Sequence, residues 1–226
     1  MTDSLHVPPT DSHGRWFEEI WRTREENVYP RLFGRPADGI FRMTDNILSS
    51  LCSGAIDPRW KTILVLRFPG SADTNWIYAT SGLSNPWGVT PENARPENFS
   101  GLGFEFFMKV GDAADFVATQ LLWLAAVQTL VGCGQLSGEL VGPFDRVPLG
   151  RPVAAQSELD ALFIFPPDDL PGQFQLLSGK VDLLCVTAVS AAECTFARSQ
   201  GGEALLALLQ HHEQLNRTNI SRASVI

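Results

Sequence analysis

The sequence predicts a single domain of mixed helix and strand, on three observations. Five short β-rich runs, at 60–68, 75–80, 103–110, 159–165 and 180–188, are interleaved with only one long apolar helical stretch. That pattern puts the strands in one sheet with helices against it. The chain has 226 residues, of which 44% are hydrophobic, enough for a sizeable core. Nothing between residues 14 and 226 reads as a flexible linker. That stretch is expected to form one domain, and the polar, proline-bearing residues 1–13 a disordered tail.

Each element has its own signal. Residues 15–28 carry Trp16, Phe17, Ile20, Trp21 and Val28 at helical spacing, with Glu18 and Arg22 in the favourable i,i+4 order, so they predict an amphipathic helix. Pro30, Gly34 and Pro36 are expected to break it. Residues 39–51 suggest a short strand and then a helical turn. The run W-K-T-I-L-V-L-R-F at 60–68 has strand composition and stops at Pro69-Gly70. Strands follow at 75–80 and 103–110, separated by an exposed loop at 88–100. On the second of these, Phe104 and Phe106 should face one way and Glu105 and Phe107 the other. Asp112 or Asp115 can cap the long helix to about Val131, on which Trp123 and Leu124 are expected in the core. Residues 159–165 predict a strand ended by Pro166-Pro167. Residues 174–177 and 180–188 predict a hairpin around Ser178-Gly179. Ser190 and Glu193 have capping-box spacing, so a helix should start there and run to about Ser199. A second short helix is expected at 203–210, and 217–226 as an edge strand.

Composition narrows the partners. The net charge is −8, from 25 acidic against 17 basic side chains. Nucleic acid and anionic membranes both need a basic face, so neither is an expected partner, whereas a basic protein is. Charged residues are 19% of the chain, below the roughly 25% of an average domain, so much of the surface is neutral. No apolar leader opens the sequence, and the most hydrophobic window, 116–131, is shorter than the roughly 20 residues of a membrane span and holds Thr119, Gln120 and Gln128. A cytoplasmic location is the expectation. Cys52, Cys133, Cys185 and Cys194 are widely spaced with no C-x-x-C, which predicts reduced, buried thiols.

Catalytic and cofactor motifs are scarce. His211-His212 lies at a predicted helix end, where cationic side chains are favoured without any function, and no metal spacing surrounds it. Gly101-Leu102-Gly103 lacks the third glycine and the helix of a dinucleotide loop. Asp168-Asp169 sits in Pro- and Gly-rich turn sequence rather than among other acid–base groups. No cofactor or metal is expected. Two features remain. Trp76, Tyr78 and Trp87 can be core packing or an aromatic binding surface. Glu105, a charge amid phenylalanines, must either find a partner such as an arginine or meet a bound protein.

Two segments carry a resemblance. They are Tyr78-Ala79-Thr80-Ser81-Gly82-Leu83-Ser84 and Ser100-Gly101-Leu102-Gly103-Phe104-Glu105. The long apolar helix comes next, then Leu159-Asp160-Ala161-Leu162-Phe163, then Val186-Thr187 leading to Glu193, then Gly201-Gly202-Glu203-Ala204-Leu205-Leu206-Ala207-Leu208, and last Arg222. In order and spacing these blocks, over residues 57–226, resemble the Suppressor of Fused domain. The stretch from Val186 to Glu193 is two residues longer than the family pattern. Asn219-Ile220-Ser221-Arg222 departs from the Asp and paired Arg of its final strand, and the animal protein's second domain has no counterpart here.

The resemblance implies an α+β fold, a mixed β-sheet flanked by helices, and a binding protein with no enzymatic activity. The stand-alone size is similar to that of bacterial members resembling immunity proteins, which neutralise a toxin by direct binding. An adaptor that clamps an extended peptide of a regulatory partner, and an enzyme with an unrecognised site, are the alternatives. Tyr78, Ser84, Asn85, Trp87 and Glu105 are the expected partner-binding residues, facing a basic toxin domain.

Overall fold

The computed structural model describes residues 12–70, 76–111, 115–212, 214–215 and 218–226. The amphipathic N-terminal segment is a continuous helical run of three pieces: α1 (Ser12–Arg22), a π turn (Thr23–Val28) and α2 (Tyr29–Phe33). Ser12 and His13, expected in a tail, begin α1, and residues 1–11 lie outside the described residues. Pro30 does not break the run. It falls where the π turn gives way to α2, so the run forgoes only the single N–H that proline lacks and continues through it. The run stops at Gly34, whose φ of 82° is the left-handed conformation of a helix C-cap.

The strands are β1 (Gly39–Arg42), β2 (Leu64–Pro69), β3 (Trp76–Ser81), β4 (Phe99–Val110), β5 (Arg146–Pro148), β6 (Leu159–Phe165), β7 (Gln173–Leu176) and β8 (Gly179–Ser190). They form one mixed sheet in the order β1-β2-β3-β4-β8-β6-β5, with β7 paired to β8 beside that path. Among these strands only β4 and β8 run parallel. All five predicted runs are in this sheet. The run at 60–68 is shorter than expected: Asp57 accepts the Arg59 N–H at 2.9 Å, Pro58 opens a 3₁₀ turn over Pro58–Thr62, and the strand starts only at Leu64.

Helices cover both faces. α3 (Asp45–Leu51) and α4 (Asp115–Gly132) pack on one face, against Phe104, Phe106 and Met108. Leu124 is fully buried there, and Trp123 is half-buried against the same cluster. The capping positions Asp112 and Asp115 fall outside the described side chains. α2, with α5 (Ala191–Gln200) and α6 (Gly202–His211), packs on the other face, against Phe107, Phe163 and Leu183. The alternation expected of β4 is present: Phe104 and Phe106 belong to one cluster and Phe107 to the other. Among the described residues no helix is long and apolar enough to cross a membrane.

Two further expectations need correction. Cys185 and Cys194 are buried, but Cys133 is exposed, because it follows the end of α4 at a Gly-rich turn, and Cys52 is only partly covered. Among the described residues the C-terminal segment adds no strand. Thr218 makes a single parallel bridge to Val110, and Asn219 then turns the chain by accepting the Ser221 N–H at 3.0 Å.

Candidate functional site

The strand β3 ends in Thr80-Ser81 and runs into Gly82-Leu83-Ser84-Asn85, and Glu105 of β4 lies beneath this turn. Glu105 is completely buried, which is tolerable only because its lone pairs are taken. Oε1 accepts from the Gly82 N–H at 2.9 Å, the Ser84 N–H at 2.9 Å and the Ser84 hydroxyl at 2.6 Å. Oε2 accepts from the Thr80 hydroxyl at 2.7 Å. The counter-charge is Arg24, in the π turn and fully buried, with Nη1 3.7 Å from Oε1. Arg24 spreads its fork over Ser81 Oγ (2.9 Å), Ser84 Oγ (3.0 Å) and Asn85 Oδ1 (2.9 Å). The Ser84 hydroxyl therefore bridges the two charges, accepting from arginine and donating to carboxylate.

Neighbours on the helical run extend the network. Ser81 donates to Glu25, and the Tyr29 hydroxyl donates to the Thr80 carbonyl. Burial pushes the Glu25 carboxyl above its ordinary value, against the opposing pull of Arg24 and the Ser81 hydrogen bond. Burial, reinforced by the Glu105 charge, pushes the Tyr29 phenol well above its ordinary value. These groups bolt the helical run to the end of β3.

The second segment closes over the first. The Leu102 N–H donates to the Leu83 carbonyl at 2.8 Å, and the Ser100 hydroxyl donates to the Ser84 carbonyl at 2.6 Å. Gly101 sits between them at φ 58°, and a Cβ there would lie 2.4 Å from the Asn85 carbonyl oxygen. Only glycine permits this approach. The loop from Gly88 to Phe99 then projects from a rigid base, and most of it is exposed.

The expected partner-binding residues thus separate. Ser84, Asn85 and Glu105 meet in one buried network. Tyr78 is also fully buried, but on the opposite face, 5.9 Å from Phe41 between ring centroids. Trp87 is half-buried against the same face at the tip of the turn. Trp76, on the same strand, carries the Arg67 guanidinium over its ring at 4.6 Å. The three aromatics pack on the core cluster rather than forming an open box. His211 and His212 are exposed at the end of α6, and among the described residues no three His, Cys, Asp or Glu converge as metal ligands.

A second buried ion pair lies at the far end of the sheet. Glu193 completes a capping box with Ser190 and is gripped by Arg222. Burial would raise the Glu193 carboxyl, but hydrogen bonds from Arg222 and from the Val225 and Ser190 N–H groups outweigh it and hold the group below its ordinary range.

The family model described as Suppressor of fused protein (SUFU) matches residues 59–223. The chain belongs to the Suppressor of fused family. Among solved structures, Drosophila Suppressor of Fused aligns with a TM-score of 0.55 at 21% identity, covering 72% of this chain and 42% of its own. This chain therefore spans about two fifths of that protein. A structure of the Sufu–Fu complex aligns at 0.62 with 19% identity, covering 93% and 92% of the two chains. A SUFU homolog from Neisseria gonorrhoeae FA 1090 aligns at 0.61 with 18% identity, covering 93% and 97%. None of the curated proteins matches.

Arg24, the counter-charge of Glu105, lies outside the segment that the family model matches and escaped the sequence reading. Arg24 occupies a position i+4 from Ile20 and i−4 from Val28, on the apolar stripe of the first helix. A charge in that stripe was the available signal that it pairs inside the fold.

Proposed function

We propose that the chain is a non-enzymatic protein-binding domain, and that its partner surface is the β3–β4 loop with the apolar residues at its base. The observation that carries this is a pair of exposed large side chains, Phe99 at 50% and Leu177 at 51%. They sit at the same end of the sheet, because Ser100 and Ser178, their neighbours in sequence, are hydrogen-bonded at 2.5 Å. Exposed apolar groups beside a Gly- and Pro-rich loop on a rigid base suit a protein interface. In this reading Trp87 and Phe99 meet the partner, while Tyr78, Ser84, Asn85 and Glu105 hold the loop in shape. Among solved relatives, one was captured as the Sufu–Fu complex, which supports protein binding as the role.

The finer reading is an immunity protein that neutralises a basic bacterial toxin. The net charge of −8 supports it: a toxin acting on nucleic acid must be basic, and opposite charge speeds encounter by about 10- to 10³-fold. Pull-down with the product of a neighbouring toxin gene tests the partner. Association measured at low and at high salt tests the steering. A Phe99→Ser, Leu177→Ser variant should lose the complex while staying folded. An association rate that stays flat with salt would remove charge steering, and full binding by that variant would remove the surface.

A further inference from the structure

Between the first half of α4 and the loop from β5 to β6 lies a groove of about 450 Å³. Phe116, Thr119 and Gln120 line it from the helix, at i, i+3 and i+4 and so on one face. Arg151, Pro152 and Val153 line it from the loop. That loop is pinned to its surroundings. The Leu149 N–H donates to the Asp160 carbonyl at 2.9 Å, the Val153 N–H to the Leu159 carbonyl at 2.8 Å, and the Ser157 hydroxyl to the Ile220 carbonyl at 2.6 Å. Both walls of the groove are therefore preformed, as small binding sites usually are.

Gln120 is out of place in this wall. It is only 8% exposed, yet its amide makes no hydrogen bond among the described residues. The buried polar groups further along α4 are satisfied. Gln128 Oε1 accepts from the Val141 N–H at 2.8 Å, and the Thr129 hydroxyl donates to the Ala125 carbonyl at 2.8 Å. A buried amide normally finds such a partner. Since Gln120 lines the groove, a ligand lying there is within its reach. Arg151 adds a positive charge in a chain of net charge −8. It is exposed and has no ion pair among the described residues. Phe116 and Val153 add apolar surface.

We propose that this groove captures the C-terminal end of a protein partner whose last residue is apolar. The terminal carboxylate takes the two-pronged face of the Arg151 guanidinium, the geometry in which arginine binds carboxylates most strongly. The Gln120 amide, donor and acceptor at once, takes the last peptide bond. The last side chain lies on Phe116 and Val153. A free chain end carries a carboxylate, a peptide bond and an apolar group within one residue, and those match the three features of the groove. The inference rests on the protein-binding reading above but uses a separate surface. Gly132, the last residue of α4, lies against Leu102, close in sequence to Phe99. Phe116 is near the other end of that helix, about 24 Å away along its axis.

The test is selection of random peptides with free C-termini on the intact chain, followed by affinity measurement with synthetic copies of the winners. The expected winners end in an apolar residue. Converting their terminal carboxylate to an amide should weaken binding at least about tenfold, the scale of a hydrogen bond to a charged group. Arg151→Ala should cost the free-acid peptides a similar factor, and amidation should then cost little more, because both changes remove the same contact. Gln120→Leu should weaken binding by about threefold to tenfold without lowering the thermal stability of the free chain, since the amide it removes is unpaired there. Phe99→Ser should change none of these affinities. A loss of stability in Gln120→Leu would show that the amide serves the fold, and would overturn the site. Winners indifferent to amidation would do the same. Winners that need Phe99 but tolerate Arg151→Ala would overturn the groove and leave the protein-binding reading standing. Absence of any winner would also overturn the groove, while the pull-down with the Phe99→Ser, Leu177→Ser variant tests the wider reading by itself. A dimer dissolved by Arg151→Ala would assign the groove to a second copy of this chain instead.

Discussion

Arg222 grips Glu193 with both terminal nitrogens, Nη1 at 2.5 Å from Oε1 and Nη2 at 2.7 Å from Oε2. Nη2 also donates to the Ala188 carbonyl at 3.0 Å. The pair ties the C-terminal segment to the start of α5, and both side chains are buried.

Removing one partner leaves the other charge stranded. Arg222→Ala or Glu193→Ala should each destabilise the fold by about 3–5 kcal/mol in denaturant unfolding. The double variant should cost clearly less than the sum of the two, because the stranded charge goes with its partner. Additive losses would show that the two residues do not act as a pair.

Arg24 should be harder to replace than its charge suggests. Arg24→Lys keeps the charge but cannot reach Ser81, Ser84 and Asn85 with one ammonium, so it should still cost about 2 kcal/mol or more. Arg24→Ala should cost about 3–5 kcal/mol, with Glu105 left unbalanced. Hydrogen exchange should rise first at the N–H groups of Gly82 and Ser84, which the Glu105 carboxylate holds. A Lys variant as stable as the parent would mean that the fork geometry carries no stability.

Two glutamates should give stability opposite pH dependences. The Glu193 value is lowered on folding, so its contribution is complete above 4.5 and is lost as the pH falls through the folded value. The Glu25 value is raised, so its contribution is complete below 4.5 and is lost as the pH rises through the folded value. Unfolding of the parent, Glu193→Gln and Glu25→Gln between about pH 3 and about pH 7 separates them. The deficit of Glu193→Gln should shrink toward acid. Glu25→Gln should gain on the parent toward neutral pH. The same trend in both variants would contradict the geometry.

Gly101 is the tightest point of the frame. At φ 58° a Cβ would lie 2.4 Å from the Asn85 carbonyl oxygen and 2.5 Å from that of Leu83, and backbone on both sides cannot step aside. Gly101→Ala should therefore cost well beyond the roughly 1 kcal/mol of an ordinary glycine replacement in a regular element. Gly34→Ala makes the comparison, since its φ is also positive but nothing lies within 4 Å of its Cβ. Equal losses at the two sites would show that backbone strain alone, and not the close approach, sets the cost.

The sequence by itself determined where most strands and helices lie and, on the strand at 103–110, which side chains face each way. The strands at 103–110 and 159–165, the hairpin around Ser178-Gly179 and the capping box at Ser190 were all legible, because each is written in neighbours a few residues apart. Periodicity, turn glycines and capping hydroxyls act over that range. The order of the blocks also pointed to the family. Short-range signals failed where a distant contact or a cap decided. Pro30 was expected to stop the first helix, but the preceding π turn gave it a helical start. The run from Trp60 was expected to be strand, but Asp57 and Pro58 wound its first turn. The last ten residues were expected to extend along an edge, but Arg222 is drawn inward to Glu193, 29 positions earlier.

The tertiary structure alone decided what Glu105 meets. Its partner Arg24 lies on another element, outside the segment that the family model matches. It also decided that Ser84, Asn85 and Glu105 are buried together while Phe99 and Leu177 stay exposed. Burial of a polar group depends on whether donors and acceptors from remote elements converge on it, and that convergence is a property of packing rather than of any local pattern.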